Sequence, residues 1–218
     1  MWYWLLKHVL VGPVLRLLGR PEIEGLHHVP ADGPVIIAAN HLAVVDSLYL
    51  CLVVDRPVTF LAKQEYFTAG GWRGRLNRFV MNATGQVPVD RTGGTAGSDS
   101  LTAAARILES GGIWGIHPEG TRSPDGRIYR GRTGVIRVAM QTGAPVIPVV
   151  LSGTDRVNSR HRRFLRPAKV RISFGRPRYF LPADQGGVRR ATDELMADLV
   201  QRSGRPYVDC YATTFKAA

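Results

Sequence analysis

At 218 residues and 44% hydrophobic content, the chain holds enough apolar material for one sizeable core and too little for two, so a single domain is expected. A net charge of +12, from 29 basic and 17 acidic residues, points to anionic partners: membrane lipid, a phosphorylated substrate, an acidic carrier or nucleic acid. Two cysteines, Cys51 and Cys210, lie far apart without metal-ligand spacing, which excludes a disulfide framework and a zinc site.

The amino-terminal run from Met1 to Leu18 is apolar but interrupted by Lys7 and Arg16, so it falls short of the ~20 residues a bilayer crossing needs, and no small-residue cleavage site follows. Trp2, Tyr3 and Trp4 beside cationic residues suit the headgroup region. Residues 1–20 therefore read as an interfacial helix, bent or split at Gly12-Pro13, ahead of one domain over 21–218.

Along that domain, Pro34–Ala39 reads as a buried strand, Leu48–Val54 as a helix, Val58–Leu61 as a strand and Gln64–Gly71 as a helix. The arginine-rich stretch Arg73–Arg78 suits a basic helix, and Gln86–Val89 a strand. Ser98 or Asp99 is placed to cap a helix carrying Leu101, Ala104, Ala105 and Leu108 on one face, which Gly111-Gly112 stops. Ile113–Ile116 is the next strand, Gly134–Thr142 a helix closed by Gly143, and Pro145–Leu151 a further strand. Val170–Gly175 alternates like a strand with one wet face, and Val188–Gln201 like a closing amphipathic helix; from Ser203 onward no pattern assigns a role. Strands alternating with helices at this spacing predict an α/β layered domain with a largely parallel sheet flanked by helices. Its ligands are expected beyond the strand carboxyl ends.

The chemistry begins where the first buried strand ends. Asn40-His41-Leu42-Ala43-Val44-Val45-Asp46 sets an imidazole and a carboxylate five residues apart, the layout of a general base with its orienting partner. On spacing alone such a pair is more often a helix cap with a satisfied histidine. Three later segments change that reading: Gly85-Gln86-Val87-Pro88-Val89-Asp90-Arg91, His117-Pro118-Glu119-Gly120-Thr121-Arg122-Ser123 and Ala144-Pro145-Val146-Ile147-Pro148-Val149. All four segments are expected at or near strand carboxyl ends.

In this order the four segments resemble the sequence blocks of the glycerolphosphate acyltransferase family, which includes the 1-acylglycerol-3-phosphate acyltransferases. The resemblance runs from about Gly33 to Pro148, with Ala62-Lys63-Gln64-Glu65 and Arg132-Thr133-Gly134 in agreement. Ala43 stands where many members carry Ser, His117 where they carry Phe or Tyr, and Arg132 where Lys is common. The resemblance implies an O-acyltransferase that moves a fatty acyl group from acyl-CoA or acyl-ACP, as co-substrate, to the free hydroxyl of lysophosphatidic acid. His41 would be the base and Asp46 its orienter. Arg91, Glu119, Gly120, Thr121 and Arg122 would bind the acceptor phosphate, with Lys63 and Arg132 as secondary candidates. Glycerol-3-phosphate, another lysophospholipid or a glycolipid stays open as acceptor. No metal and no permanently bound cofactor are expected.

Without a Gly-X-Ser-X-Gly elbow, and with Cys51 in an apolar run, direct transfer is expected rather than an acyl-enzyme. The nine basic residues between Arg156 and Arg178, free of any carboxylate, would also suit a nucleic-acid-binding module; an anionic lipid surface or an acyl carrier protein accounts for the same charge. A peripheral or monotopic enzyme on the cytoplasmic face of a membrane, with no nucleic-acid partner, is the resulting expectation.

Overall fold

The computed structural model describes residues 2–89, 96–159 and 164–216. The chain opens with α1 (Trp2–Leu5), passes through a π-helical turn over Leu6–Leu10 and continues as α2 (Val11–Gly19). There follow β1 (Glu22–Glu24), β2 (Val35–Ala39), α3 (Val45–Val53), β3 (Val58–Lys63), the short α4 (Glu65–Thr68), α5 (Gly71–Ala83) and β4 (Val87–Val89). Then come α6 (Ala96–Glu109), β5 (Ile113–Ile116), β6 (Ile128–Tyr129), α7 (Gly134–Thr142), β7 (Val146–Ser152) and α8 (Thr154–Val157). The chain closes with β8 (Arg171–Phe174), α9 (Gln185–Ser203) and β9 (Tyr207–Val208).

Seven strands form one sheet in the order β1-β8-β7-β2-β5-β3-β4. The five from β7 to β4 run parallel; β8 is antiparallel to β7 and carries β1 beside it. This is the expected α/β layered domain with a largely parallel sheet. β6 and β9 pair separately as a small parallel ribbon, with Ile128 opposite Tyr207.

β2 lies at the centre, and all five of its residues are buried because helices cover both faces. Side chains alternate across a strand, so Val35, Ile37 and Ala39 pack with α3 residues such as Tyr49 and Leu50, while Ile36 and Ala38 pack with Leu108, Val135, Val138 and Leu195 from α6, α7 and α9. The connection after β2 crosses toward β3, and the one after β5 returns over β2 to β7. That reversal falls at the carboxyl edge between β2 and β5, the place where open parallel sheets bind their ligands.

Three sequence expectations are corrected. The amino-terminal helix is not split at Gly12-Pro13; it runs on to Gly19, and the irregularity is the wider π turn just before. That turn accommodates a proline, which has no N–H to donate and whose ring crowds the preceding turn. Ser98 and Asp99 do not cap the next helix, because its described part already includes Ala96 and Gly97 ahead of them. The fourth segment does not end a strand: Pro148 sits inside β7, opposite Ala38. A proline is tolerated there because its flank faces β8 just past that strand's end, where its carbonyl accepts from the Gly175 N–H and no donor is needed.

Buried Asn40 closes the seam between β2 and β7. Its Nδ2 donates to the Leu151 carbonyl at 3.0 Å and its Oδ1 accepts from the Leu151 N–H at 2.7 Å. Asn40→Ala would leave both backbone groups unpaired away from water. We expect it to lower unfolding free energy by about 2 kcal/mol or more, read by urea denaturation.

Candidate functional site

The chain leaves β2 at Ala39, and Asp46, in the first turn of α3, draws the intervening loop around itself. Its Oδ2 accepts from the Leu42 N–H at 2.6 Å, the Ala43 N–H at 2.8 Å and His41 Nδ1 at 2.9 Å. A carboxylate can only accept, so Nδ1 carries the proton and the His41 lone pair resides on Nε2. Among the described residues Nε2 has no hydrogen-bond partner, and the side chain retains 18% exposure. Asp46 is fully buried, and burial alone would raise its pKa. The His41 hydrogen bond and the neighbouring His117 and His41 rings outweigh this, with help from Thr154, and hold it below the ordinary carboxylate value.

The loop after β5 clasps the His41 backbone from both sides. The His41 N–H donates to Glu119 Oε1 at 3.1 Å, and the His41 carbonyl accepts from the Ser123 N–H at 2.7 Å. The other Glu119 oxygen accepts from the Tyr129 N–H at 3.0 Å. With 1% exposure and both oxygens engaged, Glu119 holds the site's backbone. Its burial pushes its pKa up to about 7 despite those two backbone donors.

His117, ambiguous in sequence, stacks on His41 with centroids 3.9 Å apart and planes 7° from parallel, and Phe60 continues the stack at 5.6 Å. Its Nδ1 lies 3.0 Å from the Ala39 carbonyl and 3.1 Å from that of Asn40, so Nδ1 carries the proton; its Nε2 accepts from the Ser47 hydroxyl at 3.1 Å. Desolvation, followed by the proximity of His41, pushes its pKa down to about 3. The ring is therefore neutral at any pH at which the fold is ordinarily studied.

The remaining predicted site residues surround this core unevenly. Gly120 takes φ +73°, a left-handed turn that disfavours a side chain, and a Cβ there would lie 2.9 Å from Arg132 Nε. The Arg132 side chain thus passes directly over that turn. Arg122, on the same loop, is partly exposed and has no hydrogen-bond or ionic partner among the described residues; Thr121 is buried. Lys63 is exposed at the carboxyl end of β3, two strands from β2. Arg91 lies outside the described residues.

Sequence reasoning missed a contribution from the carboxyl-terminal segment. Two guanidinium groups approach the Tyr211 ring, Arg132 at 5.2 Å and Arg130 at 5.7 Å from its centroid, and Arg132 Nη2 donates to Thr213 Oγ1 at 3.3 Å. The Arg130 N–H bonds the Val208 and Cys210 carbonyls, which anchors this segment beside the site. An aromatic residue far along the chain carries no local signal for such a contact.

A family model described as Acyltransferase matches residues 20–152. The 1-acyl-sn-glycerol-3-phosphate acyltransferase BAT2, chloroplastic, of Brassica napus is 30% identical over 169 residues, 76% of this chain and 47% of that protein. The 1-acyl-sn-glycerol-3-phosphate acyltransferase alpha of Mus musculus is 28% identical over 187 residues, 84% of this chain and 62% of that protein. The chain thus spans about half the length of the curated relatives it matches. Among solved structures, the 1-acyl-sn-glycerophosphate (LPA) acyltransferase PlsC from Thermotoga maritima shares the fold, with a TM-score of 0.65 and 24% identity over 85% of this chain and 73% of that one.

The two displaced pKa values act on stability in opposite directions. Glu119 rises from 4.5 to about 7, so its contribution is complete below the unfolded value and is lost as pH climbs through 7. His117 falls from 6.5 to about 3, so its contribution is present above 6.5 and is lost as pH drops toward 3. Between pH 4.5 and 6.5 the slopes oppose each other. In His117→Phe the Glu119 slope is unopposed, and urea midpoints measured across that interval should fall with rising pH more steeply than in wild type.

Proposed function

The chain belongs to the acyltransferase family, and from that premise we propose that it transfers a fatty acyl group from acyl-CoA or acyl-ACP to the free hydroxyl of lysophosphatidic acid, yielding phosphatidic acid. The observation that carries this reading is the His41–Asp46 pair. Its Nδ1–H is tied to a buried carboxylate, and its Nε2 has no hydrogen-bond partner among the described residues, at the carboxyl edge of the sheet beyond β2. The names of the relatives, each a 1-acyl-sn-glycerol-3-phosphate acyltransferase, support the choice of acceptor.

In this mechanism His41 Nε2 takes the proton of the acceptor hydroxyl as its oxygen attacks the thioester carbonyl carbon. Asp46, accepting from Nδ1–H, stabilises the imidazolium that forms. The tetrahedral intermediate collapses with cleavage of the C–S bond, and His41 returns the proton to the departing thiolate. The products are the ester and the free thiol, with no covalent enzyme intermediate. The second ring of the stack, locked neutral, adds no competing charge beside the imidazolium.

The acceptor phosphate is assigned to a cationic rim of Arg122, which has no hydrogen-bond or ionic partner among the described residues, Arg132 above Gly120 and Lys63 at the end of β3; Arg91, carried by the sequence motif alone, is assigned to the same anion. Guanidinium groups bind phosphate bidentately, which suits an anchor remote from the reacting hydroxyl. Glu119 contributes by holding His41 in place, and the backbone of the 120–122 turn presents the rim. The outer face of α1 and α2 lies on a membrane surface in this reading: Trp2, Trp4, Leu10 and Leu17 are all at least half exposed. Among the described residues no helix is long and apolar enough to cross a bilayer.

Transfer of radiolabelled palmitate from palmitoyl-CoA to lysophosphatidic acid, with glycerol-3-phosphate and lysophosphatidylcholine in parallel, tests the reaction. Product is expected with lysophosphatidic acid, and His41→Ala or Asp46→Asn should cut kcat by roughly 10³–10⁴-fold. No product from any acceptor, with an acyl carrier donor tried as well, would remove the reading. Arg122→Ala should raise KM for the acceptor by roughly tenfold or more with little change for the donor; an effect on the donor alone would show the phosphate assignment to be wrong.

A further inference from the structure

We propose that α5 is a second interfacial helix, and that with the outer face of α1 and α2 it forms one surface by which the chain lies on an anionic bilayer. The proposal rests on the membrane reading above and names a second element for it.

Helix α5 stands off the sheet. Of its described positions only Gly74 is buried, although the helix carries Trp72, Leu76 and Phe79 at 67%, 52% and 41% exposure. Those three are spaced i, i+4, i+7 and so share one helical face. Large apolar side chains gathered on an exposed face mark an interaction surface. The face is joined to the amino-terminal helix: the Trp2 ring meets Phe79 edge-on, centroids 5.2 Å apart at 81°. Beyond Trp2, the amino-terminal segment also exposes Trp4, Val9, Leu10, Val14 and Leu17.

Charge selects the occupant. Residues 66–89 contain Arg73, Arg75 and Arg78 and no carboxylate, and the first twenty residues contain Lys7, Arg16 and Arg20 and no carboxylate. Tryptophan and cationic side chains together fit the headgroup layer of a membrane with anionic lipid. A second copy of the chain would bring the same positive charge face to face, on top of a net +12. The placement also suits the chemistry: α5 follows the carboxyl end of β3 through α4, on the sheet edge that carries the His41 loop. A bilayer under α1, α2 and α5 would deliver a lipid acceptor to that edge without its transit through water.

The test is sedimentation of the full chain with vesicles of phosphatidylcholine, alone or with about one quarter phosphatidylglycerol. Wild type should partition to the anionic vesicles more strongly. Trp72→Ser with Leu76→Ser, and separately Trp4→Ser with Leu17→Ser, should each weaken that partitioning by about tenfold or more. Arg75→Gln with Arg78→Gln should erase most of the preference for anionic vesicles. Turnover of a short-chain, monomeric acceptor should be unchanged in all three, which separates failure of this proposal from failure of the acyl-transfer reading. Wild-type partitioning by the Trp72/Leu76 variant, with loss in the Trp4/Leu17 variant, would restrict the membrane face to the amino terminus and overturn the role of α5. A wild-type chain that sediments as a dimer in the absence of lipid, and reverts to monomer in the Trp72/Leu76 variant, would assign the face to a second copy instead.

Discussion

One buried oxygen organises the site. Asp46 Oδ2 collects three N–H donors, two from the backbone and one from an imidazole, and each demands that the loop after β2 wrap tightly around the first turn of α3. The same three bonds, with the positive end of the helix, compensate a carboxylate that has lost all contact with water. The tautomer of His41, the direction in which its free nitrogen faces and the path of the chain from strand to helix are therefore consequences of one arrangement. They are not separate features that could vary independently.

The loop after β5 fits around that arrangement. It reaches the backbone of His41, through Glu119 and Ser123, and its side chain, through the stacked ring of His117. Two groups in it are held away from their ordinary protonation behaviour by burial, a carboxyl pushed upward and an imidazole pushed downward. Burial disfavours the charged form of each, which leaves the His117 ring neutral and Glu119 about half ionised near neutral pH, while Asp46 stays ionised beside His41.

The parallel core was legible because β2, β5 and β7 are short apolar runs bounded by turns; the His41–Asp46 contact is local, but its spacing gained meaning only from the three later segments. Other parts depend on partners the local sequence cannot name. β1, with Glu22-Ile23-Glu24 exposed at the sheet edge, is too short and too polar to register as a strand, and exists by pairing with β8. The reversed direction of β8 is a property of its neighbours, since alternation predicts a strand and no direction. Glu119 reads as part of the phosphate-binding set in the sequence through the family resemblance of its motif. Only the fold shows that a carboxylate at that position is consumed by two backbone donors. His117 gave a composition signal without a role until the Ala39 and Asn40 carbonyls and the Ser47 hydroxyl fixed both of its nitrogens.

The contact between Arg132 and Thr213 spans 81 residues of chain. The loops that carry His41, Asp46 and Glu119 are all synthesised before residue 130, whereas the aromatic and hydroxyl groups that steady Arg132 follow only after α9 and β9. The groups that steady Arg132 are therefore among the last of the described site to be synthesised, and the position of that guanidinium is set by a segment the earlier loops do not contain.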